Sequence, residues 1–151
     1  MPRPLTSAVL LVALTLLLPV GLSAQEAPPL AGYRGDLMTG MQAHQRALRA
    51  LVGGDVAEPS HIVLHARALA DITEMLQGVW AEGSGGEGSR ALPAVWEDWA
   101  DFQAKLEGLR SAARGLRDAA EGGDTEAVGA TLQEVGQTCR DCHTTYRARA
   151  N

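Results

Sequence analysis

Residues 128–146 read VGATLQEVGQTCRDCHTTY. Val128, Leu132, Val135, Cys139, Cys142 and Tyr146 recur in alternating steps of four and three, the spacing of one face of an α-helix. The stripe begins as ordinary core residues and then changes chemistry. Its later rungs are the only two cysteines of the chain, and His143 follows the second directly. Positions i, i+3 and i+4 of a helix share a face. Cys139, Cys142 and His143 are therefore expected to converge on one patch, which the apolar rungs before them turn toward the interior.

Three further stripes of the same period lie upstream. About Gly32 to Val52 carries Leu37, Met41, His44, Leu48 and Leu51, and Gly53-Gly54 stops it. About Ser60 to Val79 carries Ile62, His65, Leu69, Ile72, Leu76 and Val79. A third is expected from Pro93, a favoured first-turn residue. Its early acids Glu97, Asp98 and Asp101 suit the positive end of a helix dipole. Its stripe is Phe102, Leu106, Leu109, Ala113, Leu116 and Ala120, closed by Gly122-Gly123, and Asp124 is placed to cap the fourth helix. No segment sustains the two-residue alternation of a strand. Four helices of about 20 residues joined by short links predict an all-α, antiparallel up-down four-helix bundle. Gln25–Ala31, with Pro28-Pro29, reads as a leader, and the Gly- and Ser-rich link 81–92 as a flexible surface loop. That link contains a formal G-x-G-x-x-G at Gly83–Gly88, but no strand precedes it and Glu87 would repel a phosphate.

Residues 1–24 read as a secretory signal peptide. Arg3 precedes an apolar run from Ala8 to Leu18, short for a membrane span, and Pro19, Gly21 and Ser23-Ala24 follow it. The mature domain is expected to be residues 25–151, periplasmic, and one unit more acidic than the formal −5 of the whole chain, since Arg3 is the one charge removed. An acidic domain of this size argues against nucleic acid as a partner. No nucleophile–base pair or carboxylate dyad stands out, so the expectation is a binding protein rather than an enzyme.

C-x-x-C-H is the attachment signature of haem c: two thiols add across the porphyrin's vinyl groups, and the imidazole coordinates its iron. A thioredoxin-like redox pair would sit at a helix N-terminus after a strand, where the dipole lowers the thiol pKa. A structural zinc site would need a fourth ligand, and there is no second cysteine pair.

With Tyr33-Arg34 and Met38 in the first helix, Ala91-Leu92-Pro93 and Trp96-Glu97-Asp98 opening the third, and Cys139–His143 followed by Tyr146-Arg147, the chain resembles the class II c-type cytochromes, the cytochrome c′ family. The resemblance implies a periplasmic haem protein, commonly a homodimer. It acts either as a one-electron carrier serving periplasmic redox partners or as a five-coordinate protein binding nitric oxide or carbon monoxide. It implies that His143 is one axial ligand and that Met38 faces the other side of the iron, as a ligand or as packing over an open face. It also implies that Arg34 pairs with a haem propionate. Arg147, four residues after His143, is expected near the proximal face.

The remaining candidates read as structure. His44 and His65 lie on apolar stripes as satisfied interior or interface histidines, and His61 is solvated at a helix entrance. Met41 and Met75 read as core. Tyr33, Trp96, Trp99, Phe102 and Tyr146 read as core and are the large residues available to wall a flat apolar cofactor.

Overall fold

The computed structural model describes residues 27–86 and 88–149. The expected signal peptide lies outside them. Four long helices carry the fold: α1 (Ala27–Val52), α2 (His61–Met75), α4 (Trp99–Glu121) and α5 (Thr125–Tyr146), with α3 (Ala94–Glu97) a single turn before α4. Helix α1 packs on α2, α2 on α4, α4 on α5, and α5 back on α1, which closes a four-helix ring. Among the described residues the one extended pairing is an isolated bridge between Ala91 and Arg147. None of the described helices is long and apolar enough to cross a membrane.

Each helix buries the face its stripe defines. Leu37, Met41 and Leu48 come from α1, Ala66 and Leu69 from α2, Leu109, Ala113 and Leu116 from α4, and Val128, Leu132 and Val135 from α5; together they make the main core. A smaller cluster of Val95, Phe102, Leu106 and Tyr146 sits apart from it, with Trp80, Trp96 and Cys142 packed against it. Leu48 is fully buried. Leu48→Ala is expected to cost ~2–5 kcal/mol through lost transfer energy and the cavity left behind, measurable as a lower midpoint in urea unfolding.

The caps follow from local chemistry. Asp124 accepts a hydrogen bond from the Ala127 amide at 3.0 Å, satisfying one of the free donors of the α5 N-terminus. Gly123, at φ +73°, makes the turn that separates α4 from α5, a conformation open to glycine.

Several boundaries differ from expectation. Helix α1 starts at Ala27, so Pro28 and Pro29 are not a leader but the first helical turn. Proline is tolerated there because those N–H groups have no acceptor within the helix. Helix α2 ends at Met75 and tightens into a 3₁₀ turn at Leu76–Gly78 before Val79. The third helix is interrupted at Asp98, whose φ −119° and ψ 56° end α3, and α4 starts afresh at Trp99.

Three assignments to the core fail. Met75 is 44% exposed and Tyr33 45%, the tyrosine hydroxyl pointing at the Met75 sulfur 3.7 Å away. Both side chains are exposed on their helices. Trp99 is likewise at the surface and stacks on Phe102 with ring centroids 5.6 Å apart. Met41 is buried as expected.

Candidate functional site

A cavity of about 580 Å³ opens between the two core clusters, within the range of small-molecule and cofactor sites. Helix α5 supplies Cys139, Cys142, His143 and Tyr146 to its wall; α1 supplies Arg34, Met38 and Met41. Helix α4 adds Phe102, Lys105 and Leu106, and Arg147 borders the cavity just past the end of α5. The α5 stripe thus runs through the main core as Val128, Leu132 and Val135 and then, without leaving its face, becomes the cavity wall.

Both cysteines are half-buried and free of any disulfide. Burial raises the pKa of each, with the neighbouring thiol contributing at Cys142, which is pushed up to about 11. Thiols so far above neutrality stay protonated at pH 7, the opposite of the lowered pKa a dithiol redox motif uses. At His143 the shift is downward, chiefly from burial and then from the charges of Arg147 and Arg90. The imidazole is therefore held neutral, the form that donates a lone pair to a metal.

Aromatic walls are provided by Phe102, whose ring meets Trp80 edge-on at 4.6 Å and Tyr146 edge-on at 5.1 Å. Tyr146 is almost fully buried and donates its hydroxyl to the Asp101 carboxylate, which also pairs with Lys105 at 3.4 Å. That bond raises the Tyr146 pKa and lowers that of Asp101. Trp96 stands behind the wall, donating its indole N–H to the carbonyls of Trp80 and Ala81, each at 3.1 Å.

The link 79–92 is not a free surface loop. Ser84 is 2% exposed, and Arg34, 4% exposed, reaches it from α1. The Arg34 guanidinium donates to the Val79 carbonyl at 2.8 Å, to the Ser84 hydroxyl at 2.7 Å, to the Ser84 carbonyl and to the Ser89 hydroxyl at 3.2 Å. It also lies 4.8 Å from the Trp80 ring centroid. Gly85 lets the backbone pass against Trp96: a Cβ there would come within 2.9 Å of that ring. Beyond the loop's glycines, Leu92 N donates to Tyr146 O at 2.9 Å and Ala148 N to Arg90 O at 2.8 Å, tying the segment to the end of α5. The loop is thus a roof, fastened on one side by Arg34 and on the other by the α5 terminus.

Arg34→Gln removes charged hydrogen bonds from a buried cluster. It is expected to cost about 2–3 kcal/mol and to speed amide exchange at residues 79–90 well before the α4 and α5 amides respond. Exchange mass spectrometry on the intact protein reads both.

Two buried N–H donors at the cavity wall, Gln45 Nε2 and Trp80 Nε1, have no acceptor within the described residues. Buried donors are ordinarily paired, so the cavity suits an occupant that carries acceptors. An apolar macrocycle with two carboxylates, anchored by two thiols of one helical turn and an imidazole, fits that lining.

Sequence reasoning named every α5 residue of the site, together with Arg34, Met38 and Arg147. It missed Trp80, Gln45 and Lys105. Trp80 falls just after a helical stripe ends and Gln45 is polar on a mixed face, so neither carries a periodic signal.

A helical bundle whose last turn presents two thiols and an imidazole to a roofed cavity defines a covalent-haem protein. The cytochrome c′ family model matches residues 30–147, and the chain belongs to that family. Its cofactor is haem c, attached through Cys139 and Cys142. It is 34% identical over 93 residues to the cytochrome c′ of Rhodospirillum rubrum, a match that spans 60% of this chain and 63% of that protein's length. Among solved structures, the carbon monoxide-bound variant of cytochrome c′ from Alcaligenes xylosoxidans is 25% identical, with a TM-score of 0.77 over 83% of this chain and 98% of that one. Cytochrome c′ from Rubrivivax gelatinosus matches at 24% identity and a TM-score of 0.77, over 82% of this chain and 98% of that one.

Proposed function

We propose that this protein is a periplasmic one-electron carrier in which His143 is the proximal axial ligand and Met38 the distal one. The bound haem supplies reversible one-electron chemistry at its iron. The chain's own residues do the rest. Cys139 and Cys142 anchor the group from one helical turn, and burial keeps the His143 imidazole neutral. Phe102, Trp80 and Tyr146 would exclude water from the bound group, and Gln45 and Trp80 would offer it N–H donors. Arg34 stays on its loop partners and acts on the haem by holding the roof, with a propionate as a further acceptor at its edge.

The observation that carries this reading is the meeting of Met38 from α1 with His143 from α5 on one cavity. A thioether opposite an imidazole favours the reduced iron and suits electron transfer. Periplasmic redox proteins as partners, and assembly as a homodimer, belong to the same proposal and rest on family likeness.

A second reading has its own support. The A. xylosoxidans relative was solved with carbon monoxide bound, so a distal side open to diatomic gases, with Met38 as packing, is the alternative function. Visible spectra of the oxidised and reduced protein with and without carbon monoxide separate the two. Low-spin bands unmoved by the gas support methionine ligation. A high-spin spectrum that shifts with carbon monoxide overturns it in favour of gas binding.

A further inference from the structure

The chain has four histidines. One is the axial candidate; the other three fall together on α1 and α2. His44 on α1 and His65 on α2 face each other with their Nδ1 atoms 2.8 Å apart, the ring centroids 5.1 Å apart and the planes tilted by 54°. Both rings are half-buried in the groove between the two helices. His61 is exposed and lies four residues before His65, so the two occupy one face of α2 on adjacent turns. The i, i+4 histidine pair is a recurrent metal-binding spacing, because one turn of helix brings both rings to a common point.

A Nδ1···Nδ1 contact is an uncommon way to satisfy two imidazoles. It requires one ring to be protonated on Nδ1 and the other on Nε2. It also places two soft nitrogen donors almost at the separation a metal imposes. With metal–nitrogen bonds of about 2.0–2.1 Å, cis ligands of a square-planar or tetragonal ion stand ~2.9 Å apart, and tetrahedral ones ~3.3 Å. Opening the pair to admit an ion therefore asks for a few tenths of an ångström and a turn of one half-exposed ring about χ2. Among the described residues no three His, Cys, Asp or Glu side chains are already gathered to hold an ion. His61, exposed on the adjacent turn of α2, is the third imidazole on that face.

We propose that His44, His65 and His61 form a binding site for a divalent late first-row transition ion, bridging α1 and α2 outside the haem cavity. Imidazole donors without carboxylates select copper, nickel and zinc over magnesium or calcium, and copper(II) binds most tightly of the series. Water fills the remaining coordination positions. The site does not depend on how the haem iron is ligated, and it holds whether the protein carries electrons or binds gas.

The test uses the haem-loaded protein, purified without a histidine tag and titrated with copper(II) against a competing chelator. The expected result is one equivalent bound, with an electron paramagnetic resonance signal showing coupling to at least two imidazole nitrogens. His44→Gln and His65→Gln should each weaken binding by at least ~10-fold, since even outer partners of metal ligands cost that much. His61→Gln, at an exposed position that leaves the helix packing intact, should weaken it by roughly tenfold or less. A zinc titration provides a second readout: zinc raises the thermal midpoint of the wild-type protein, raises that of His61→Gln by less, and does not raise that of His44→Gln/His65→Gln. Copper binding unchanged in His44→Gln/His65→Gln with a native haem spectrum overturns the proposal. So does a wild-type protein that takes up neither metal, which leaves the pair as a structural hydrogen bond between helices.

Discussion

Cys139→Ala/Cys142→Ala, produced alongside haem-attachment machinery, should have the mass of the bare polypeptide and no haem that survives acid–organic extraction. The loss is expected to be complete, because the two thiols are the chain's only cysteines and both line the cavity whose walls fit the porphyrin. Alanine is the appropriate replacement. The thiols are half-buried, and alanine removes each nucleophile without adding a polar group to the wall. Single variants should retain one thioether and a reduced yield of holoprotein. A double variant with wild-type covalent haem would remove the basis of the site altogether. Burial also sets the pair apart from a dithiol redox motif, whose attacking thiol is lowered in pKa: here both thiols are raised, Cys142 to about 11.

The second large effect is expected at Met38. In the proposed state, Met38→Ala takes away the distal ligand. The spectrum should change from low-spin to high-spin, carbon monoxide should bind the reduced protein, and the reduction potential should fall on the order of 0.1–0.3 V, a modest part of the ~0.8 V that axial ligation commands. Stability changes should stay small by comparison. Met38 is only partly buried, at the edge of the main core, so its truncation leaves a cavity continuous with an existing one. If instead the wild type already binds carbon monoxide and Met38→Ala alters only its affinity, the residue is steric packing and the gas-binding function stands. Met41, one turn further along α1 and also at the cavity, is the control. Met41→Leu should leave the spin state unchanged.

Most of the helical scaffold was legible because it is periodic. Leu109, Ala113 and Leu116, or Val128, Leu132 and Val135, have no competing explanation at their spacing, and the structure buries each of them. The attachment turn was equally plain, since two cysteines and a histidine at i, i+3 and i+4 constrain both the face and the ligand. Illegible were the places where tertiary contacts override composition. The segment 79–92 has the glycine and serine content of a flexible loop, yet Arg34 converts it into a roof, and that arginine sits about fifty positions away. The break at Asp98 leaves no mark in the sequence, since the third stripe begins only at Phe102. Met75 and Tyr33 were assigned inward on residue type alone, and their helices turn them out.

The roof has a consequence for the order in which the molecule comes together. The α1–α2 and α4–α5 hairpins close short connections, such as Gly122–Asp124, and their contacts are local. The bonds that finish the chamber are not. Arg34 to Ser84 spans 50 positions and Arg90 to Ala148 spans 58. Distant contacts carry a larger loop-closure entropy and form after the local ones that shorten the path between them. In kinetic terms the roof belongs to the late side of the folding barrier, so the attachment turn of α5 can be helical and paired with α4 while the chamber above it is still open to an incoming cofactor.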